Sequence, residues 1–266
     1  NGLKVFSCFA CGGGSTMGYK LSGCEVLGCC EIDPKMNEVY VKNHHPKHNF
    51  LMDIREFNAL PNEEIPAELF DLDILDGSPP CTTFSMAGQR EESWGKKKKF
   101  REGQAEQTLD DLSFVFIDTV AKLKPKCVIM ENVEGLIKGE AWSYVQRIYK
   151  HLHEIGYKVK HWLLKGQFMG VPQTRERVFI IGHKKEYQLP KLKLDFNEPP
   201  ILFGKIIDRS TTTGKLTDVQ LDLWKKQKTN DFTLADVRGT ANGFTDYLVS
   251  SNRVCNTITA TGKYFC

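Results

Sequence analysis

The chain has 266 residues, of which 41% are hydrophobic and 26% are charged, a composition typical of one large globular domain or of a large and a small one. No apolar run reaches the roughly 18 residues that cross a bilayer, and the first residues already read as a strand, so neither a membrane contact nor a signal peptide is expected. The formal net charge of +3 is too small to indicate a nucleic-acid partner by itself.

Short apolar runs alternate with helix-like stretches along the first two thirds of the chain. Strands are predicted at 3–9, 25–32, 50–53, 71–76, 127–131, 157–164 and 177–182. Helices are predicted at 15–22, 34–43, 109–123 and 142–155. Alternation of strands and helices with short connections predicts βαβ units, and therefore an α/β fold with a mostly parallel sheet.

The sequence pattern changes after about residue 186. From there to about residue 250 the chain is polar and irregular, and few regular elements are expected. We therefore predict a large domain over residues 1–185, a second, smaller domain over 186–250, and a segment at 251–266 that returns to the first domain.

A glycine-rich segment from Phe9 to Ser15 follows the first predicted strand and opens the first predicted helix. Glycines let backbone N–H groups approach a ligand closely, and a helix N-terminus favours a carboxylate or a phosphate. Glu31 ends the second strand, where an acid commonly accepts hydrogen bonds from ribose, and Asp53 ends the third, within reach of an adenine amino group. These features predict an adenosine-containing cofactor. NAD, S-adenosylmethionine and a β–α turn without a ligand all stay open.

Cys81 follows two prolines directly after a predicted buried strand. Proline lacks a backbone N–H and restricts the residue before it, so the strand must end here. The thiol is thereby placed at the edge of the sheet where α/β proteins bind their ligands. Two interpretations remain: Cys81 is a nucleophile, or it is a buried structural cysteine.

Cysteine, histidine and lysine clusters give weaker signals. Nine cysteines, mostly in strand-like segments, favour reduced thiols and a cytoplasmic location, and the lone C-x-x-C of Cys8 and Cys11 predicts no metal site. His44 and its neighbours are interpreted as a solvated helix end. Four consecutive lysines at 96–99 are interpreted either as a basic loop that meets phosphates or as a solvated loop without a partner.

Five motifs in one order resemble those of the DNA (cytosine-5) methyltransferases. They are Phe9-Ala10 with Gly13-Gly14, Glu31-Ile32-Asp33-Pro34, Pro79-Pro80-Cys81 with Phe84-Ser85, Glu131-Asn132-Val133, and Gln173-Thr174-Arg175-Glu176-Arg177. The resemblance covers about residues 3–182 and resumes near Arg253. It implies a Rossmann-like class I methyltransferase fold, with helices on both faces of a mostly parallel sheet and a small irregular target-recognition domain.

The resemblance also implies a mechanism. Cys81 would attack C6 of a cytosine that has flipped out of duplex DNA, and Glu131 would hold and protonate N3 of that base. Arg175 would neutralise charge at O2, while Arg177 would bind the DNA backbone or brace the site. A DNA substrate of this kind implies a bacterial or phage modification enzyme, expected to be a monomer and to have a cognate restriction endonuclease.

S-adenosylmethionine is the cofactor that the resemblance implies. The residues expected to bind it are Phe9, Gly13, Gly14, Glu31, Ile32, Asp53, Ile54, Pro79 and Leu112. The residues expected to contact DNA are Ser85, Lys96, Lys97, Lys98, Lys99, Asn132 and Gln173.

The chain departs from the family pattern at several positions. Ser7 stands where the family usually has aspartate, and Cys11 where it has a further glycine. The last motifs of the family, which complete the cofactor pocket, are not found among the 266 residues. Two alternatives therefore stay open: a non-catalytic DNA-binding relic, and a tRNA cytosine-5 methyltransferase.

Overall fold

The computed structural model describes residues 2–80, 112–139, 141–208, 216–228, 231–240, 246–258 and 263–265. The chain divides into two compact units. The first comprises Asn1–Leu163 and Arg177–Leu192, and the second comprises Leu164–Glu176 and Lys193–Cys266.

A seven-stranded sheet is the framework of the first unit. Its strands are β1 (Lys4–Cys8), β2 (Glu25–Glu31), β3 (His48–Leu51), β4 (Ile74–Gly77), β5 (Cys127–Val133), β6 (Tyr157–Lys165) and β7 (Glu176–Lys184). They lie in the order β3-β2-β1-β4-β5-β7-β6. The first five strands pair in parallel, whereas β7 runs antiparallel to β5. This confirms the predicted α/β fold with a mostly parallel sheet.

Five α-helices accompany the sheet in the described part of the first unit. They are α1 (Gly14–Leu21), α2 (Pro34–His44), α3 (Ile54–Ala59), α4 (Leu112–Leu123) and α5 (Ala141–Glu154). The start of α2 follows from its sequence: Asp33 accepts hydrogen bonds from the first-turn amides of Lys35 and Met36, and Pro34 occupies the first helical position. The short α3 was not predicted.

Two separate clusters of buried side chains show where the helices pack. The larger joins the sheet to α3, α4 and α5 and includes Phe6, Phe57, Phe116 and Val145, with the rings of Phe6 and Phe57 stacked 5.6 Å apart. The smaller consists of Ala10, Cys29 and Tyr40, the last of which lies on α2. Because successive strand residues point to opposite faces, two clusters indicate that helices cover both faces of the sheet.

The second unit contains two short helices and a two-stranded sheet in its described part. These are α6 (Asp218–Lys226), α7 (Leu234–Arg238), β8 (Asp246–Leu248) and β9 (Lys263–Phe265). Each helix begins with a reciprocal capping box, Thr217 with Gln220 and Thr233 with Asp236. The domain boundaries proposed from the sequence stay a prediction.

The segment around Ser251–Cys255 organises the second unit through backbone hydrogen bonds. The amides of Thr174, Phe203 and Gly204 donate to the carbonyls of Cys255, Arg253 and Ser251 at 2.8–3.0 Å. The Arg253 guanidinium also stacks on the Phe232 ring, 4.6 Å from its centroid. Throughout the described residues, no helix combines the length and the apolar character that a bilayer crossing requires.

Candidate active site

The loop between β1 and α1 has an unusual backbone. Phe9, Cys11 and Gly13 adopt positive φ values of 55°, 49° and 87°. Only glycine adopts this conformation without steric cost, so the two non-glycine residues are held there by their surroundings. At Gly13 a Cβ atom would also overlap the His44 ring. The sequence therefore requires glycine at position 13 for two independent reasons.

Glu31 connects this loop to the one that follows β2. One carboxylate oxygen accepts the backbone N–H of Cys11 at 2.7 Å, and the other accepts that of Asp33 at 2.8 Å. The residue is 8% exposed. Each carboxylate oxygen has a second lone pair, so Glu31 can still accept hydrogen bonds from a ligand while it joins the two loops.

An apolar pocket lies between the ends of β1, β2 and β3. It is lined by Phe9, Cys30, Ile32, Met52, Asp53, Ile54 and Leu112. Of the predicted cofactor residues, five line this pocket, although they come from four separate places in the sequence. Such side chains offer apolar contacts to the faces of a flat ring, and the Asp53 carboxylate is the acid of the lining.

Asp53 also has a local structural role. Its carboxylate accepts the backbone N–H of Arg55 at 2.8 Å and so caps α3, and the Arg55 guanidinium lies 3.3 Å from its other oxygen. An acid at a helix N-terminus is stabilising without any ligand. A contact between Asp53 and an adenine amino group stays a prediction.

The end of β4 is fixed to both neighbouring strands. Gly77 packs against the Phe116 ring so closely that a Cβ atom would overlap it. The Ser78 hydroxyl donates to the Phe9 carbonyl at 3.3 Å, and the buried Asn132 amide donates to the Pro79 carbonyl at 3.2 Å. The chain is therefore anchored up to the residue before Pro80. A DNA contact by Asn132 stays a prediction, and it would require this amide to leave its partner.

Glu131 and Arg177 form an ion pair beside this anchored turn. The Arg177 Nε lies 3.0 Å from the Glu131 Oε1, and the two side chains are 22% and 27% exposed. Antiparallel pairing of β5 with β7, in which Val133 lies opposite Arg177, brings the two together. Charge-assisted pairing fixes the position of the carboxylate while leaving part of it accessible.

Gln173 and Arg175, the other two predicted site residues of the paired-arginine motif, lie in the second unit. Gln173 forms an isolated parallel β-bridge with Cys255 through the backbone, and the Arg175 carbonyl accepts the backbone N–H of Gly166 at 2.8 Å. The Arg175 residue is exposed. Its predicted role at the base stays a prediction. Cys81, Ser85, Lys96, Lys97, Lys98 and Lys99 lie outside the described residues.

The buried cysteines of the sheet are unsuited to nucleophilic chemistry. Burial raises the pKa of the Cys8 thiol well above its usual range and raises the pKa of Cys29 to about 12. A thiol must ionise to act as a nucleophile, so these groups are inert at neutral pH. The seven cysteines in the described part of the chain are all free of disulfides.

His44 is buried, so its interpretation as part of a solvated helix end is wrong. It is 5% exposed, packs on the Tyr40 ring at 4.9 Å, and lies against the backbone of Gly13. The helix ends one residue later, where His45 adopts the left-handed conformation. The empty position left by Gly13 is what admits the histidine ring.

We expect His44 to make the stability of the chain sensitive to pH. Burial, and secondarily Lys20, lowers the pKa of His44 below its usual value of 6.5. Its contribution to stability is therefore complete above about pH 6.5 and is lost as the pH falls through the lower folded-state pKa. Denaturant unfolding at pH 7 and pH 5 should show a smaller pH-dependent loss in His44→Gln than in the wild type.

A matched control is His45→Asn. The exposed His45 has a left-handed backbone that asparagine tolerates, so this variant should keep the full pH-dependent loss. Equal pH dependence in the wild type and in His44→Gln would show that protonation of His44 does not couple to folding.

Comparison with known families and proteins gives a consistent result. The sequence profile of the family described as C-5 cytosine-specific DNA methylase matches residues 3–258. Type II methyltransferase M.HindV from Haemophilus influenzae is 30% identical over 206 residues, which cover 75% of this chain and 60% of that protein. Type II methyltransferase M.Bsp6I from a Bacillus species is 29% identical over 269 residues, which cover 97% of this chain and 77% of that protein. The chain spans 60% of the length of the first relative and 77% of the second.

Solved structures support the fold. A DNMT2 mutant from Spodoptera frugiperda gives a TM-score of 0.57 at 21% identity, covering 79% of this chain and 61% of that one. The Dnmt2 methyltransferase of S. pombe gives a TM-score of 0.57 at 16% identity, and the match covers 95% of this chain and 69% of that one. Similarity at this level of identity concerns the fold alone.

Proposed function

Because the chain belongs to the C-5 cytosine-specific DNA methylase family, we propose that it transfers a methyl group from S-adenosylmethionine to C5 of cytosine in duplex DNA. The observation that carries the proposal is the Glu131–Arg177 ion pair, which lies beside the anchored Ser78–Pro79 turn. It supports a carboxylate held at a fixed position at the end of β5, as a proton donor to the base requires.

The residues of the first unit suit the proposed cofactor. Side chains of Phe9, Ile32, Ile54 and Leu112 offer apolar contacts to a purine ring, and Glu31 keeps lone pairs for ribose hydroxyls. Gly14 is exposed at the start of α1, where the helix N-terminus favours a negatively charged group, whereas the Gly13 amide donates to the Ala10 carbonyl at 2.9 Å. When bound, S-adenosylmethionine supplies an electrophilic methyl group on a positively charged sulfur.

The chemistry assigned to the chain begins at Cys81. Its thiolate would form a bond to C6 of the cytosine, and the electron pair of the C5–C6 bond would then bond C5 to the methyl carbon as the sulfur–methyl bond breaks and S-adenosylhomocysteine leaves. Water would then accept the C5 proton, and the electrons of the C5–H bond would re-form the C5–C6 double bond and expel the thiolate. Buried cytosines of a duplex are unreachable, so the base must leave the stack.

Glu131 would act on the N3 side of the base. A carboxylic acid that donates a proton to N3 while C6 is attacked neutralises charge that would otherwise accumulate on the ring. Arg177 then acts as a positioning residue, because its 3.0 Å contact fixes the carboxylate. Arg175 is assigned to O2, and Ser85, Gln173 and the lysines at 96–99 to the DNA. A monomer and a cognate restriction endonuclease complete the proposal.

Bisulfite sequencing tests the proposal directly. The gene is expressed in a host that lacks cytosine methylation, beside a Cys81→Ser variant, and both genomic DNA and total RNA are sequenced. We expect protected cytosines within one short DNA context in the wild type and none in the variant.

Two outcomes would contradict the proposal. Protection confined to RNA would identify a different substrate. Absence of protection in both nucleic acids, from a folded wild-type chain, would favour a DNA-binding protein without catalysis.

A further inference from the structure

A buried carboxylate lies next to Ser7, at the position where the family resemblance leads one to expect an aspartate. Ser7 in β1 is 0% exposed, and its hydroxyl donates to Asp76 Oδ2 at 2.9 Å. Asp76 is on the adjacent strand β4 and is 6% exposed. Parallel pairing of β1 with β4 places the two residues in direct register. The carboxylate is therefore present in the same place but comes from the neighbouring strand.

Helix α1 supplies the other partners of this acid. The Tyr19 hydroxyl donates to Asp76 Oδ1 at 3.2 Å, and the Ser15 side chain lowers the pKa of Asp76. Ser15 and Tyr19 are four residues apart and so lie on one face of the helix. Asp76 thus connects β1, β4 and α1 through hydrogen bonds from the Ser7 and Tyr19 hydroxyls, and the Ser15 side chain faces the same carboxylate.

The start of α1 depends on this connection. Its N-cap residue is Gly13, no side chain caps its first turn, and no acid lies in that turn. The usual local devices that fix a helix N-terminus are therefore missing. Instead, the Asp76 carboxylate on β4 binds a side chain of the helix. It thereby fixes the position of the helix and of the glycine-rich loop that leads into it.

Burial of the Asp76 carboxylate costs free energy, because a charged group loses its contact with water. Burial raises its pKa, hydrogen bonds from Ser15, Ser7 and Tyr19 oppose that rise, and the negative charge of Glu131 adds to it. A buried acid is tolerated where its hydrogen bonds are satisfied, and removing it leaves those partners without an acceptor.

We propose that Asp76 is the positioning residue of the glycine-rich loop, and that it replaces from β4 the carboxylate for which the family uses residue 7. The inference rests on the proposed function, because it takes this loop to be the cofactor loop. Asp76 acts through Ser7, Ser15 and Tyr19 and needs no contact of its own with the cofactor.

A reciprocal exchange of the two side chains tests this inference. The variants Asp76→Ser, Ser7→Asp and the double exchange are compared with the wild-type chain by calorimetric titration with S-adenosylmethionine and with S-adenosylhomocysteine. Asp76→Ser should lower the affinity for both ligands at least about tenfold, as expected for the loss of hydrogen bonds to a charged group. Ser7→Asp should weaken both as well, because it places two buried carboxylates side by side.

The double exchange should restore both affinities to within about threefold of the wild type, because it again leaves one carboxylate in the same cluster. Because restoring the carboxylate could also repair a loss of stability, the affinities are compared only among variants that are folded at the titration temperature by circular dichroism. If Asp76→Ser does not fold, a double variant that combines Ser15→Ala with Tyr19→Phe is used instead. It keeps the acid and removes two of its partners, and its affinity for both ligands should be lower by about threefold or more.

Three results would overturn the inference. The first is a double exchange whose affinity is no higher than that of the weaker single variant. The second is an unchanged affinity in the variant that combines Ser15→Ala with Tyr19→Phe. The third is a loss of affinity confined to the positively charged S-adenosylmethionine, which would indicate direct contact between Asp76 and that ligand. Wild-type protein that binds neither ligand would overturn the proposed function together with the inference, whereas wild-type binding without recovery would overturn the inference alone.

Discussion

Replacement of Glu131 by glutamine is expected to lower kcat at least about 100-fold, the usual effect of removing a general acid. Glutamine keeps the size of the side chain but cannot donate an acidic proton, and it ends the ion pair with Arg177 at 3.0 Å. Both partners of that pair are partly exposed, so the free energy of unfolding should fall by no more than about 1 kcal/mol. The measurement is transfer of labelled methyl groups into unmethylated genomic DNA.

Glu134→Gln is a matched control for this experiment. Glu134 lies three residues further along and forms an ion pair with Lys138 at 2.7 Å, with 31% of its side chain exposed. This variant loses a carboxylate of similar exposure together with its ion pair, and it leaves the proposed site unchanged. Its rate should stay within about twofold of the wild type. A Glu131→Gln enzyme that loses no more rate than Glu134→Gln would exclude Glu131 from the chemistry.

Gly13→Ala should be the most damaging small substitution in the cofactor loop. An alanine with a φ of 87° is strained by about 1–2 kcal/mol, and its Cβ would overlap the buried His44 ring, for which overpacking adds about 1–3 kcal/mol. We therefore expect a loss of about 3 kcal/mol in the free energy of unfolding. Denaturant unfolding monitored by circular dichroism measures it.

The adjacent glycine provides the comparison. Gly14 begins α1, its φ is not positive, and a Cβ there would meet no atom within 4 Å. Alanine should accordingly leave the free energy of unfolding unchanged or raise it by up to about 1 kcal/mol. Equal effects of the two substitutions would show that neither the backbone conformation nor the His44 contact limits position 13.

Periodicity predicted the first unit well because its elements are regular and its strands are buried. The apolar runs before Phe9, Glu31 and Pro79 mark β1, β2 and β4, whose ends form the candidate site. Individual side chains at those ends could be named because each follows a strand directly. Which of them share one pocket could not be read from the chain, since it depends on the order of the strands.

Other features depended on local or tertiary contacts that the sequence pattern did not reveal. The Thr217-x-x-Gln220 spacing is the signature of a capping box and could have indicated α6 within the region predicted to be irregular. Asp76 resembled an ordinary polar residue at a strand end. Its importance became visible only when the register placed it opposite Ser7. His44 was misinterpreted because the space beside Gly13 is a tertiary feature.

The Glu31 carboxylate has a consequence for how the adenosine end of the site opens and closes. Its two oxygens accept one amide from the loop after β1 and one from the loop after β2, Cys11 and Asp33. Opening of either loop breaks one hydrogen bond to this acid and frees the side chain that holds the other loop, so the free energies of opening the two loops are coupled through Glu31. A fragment that orders one loop should therefore also increase the protection of the other against hydrogen exchange.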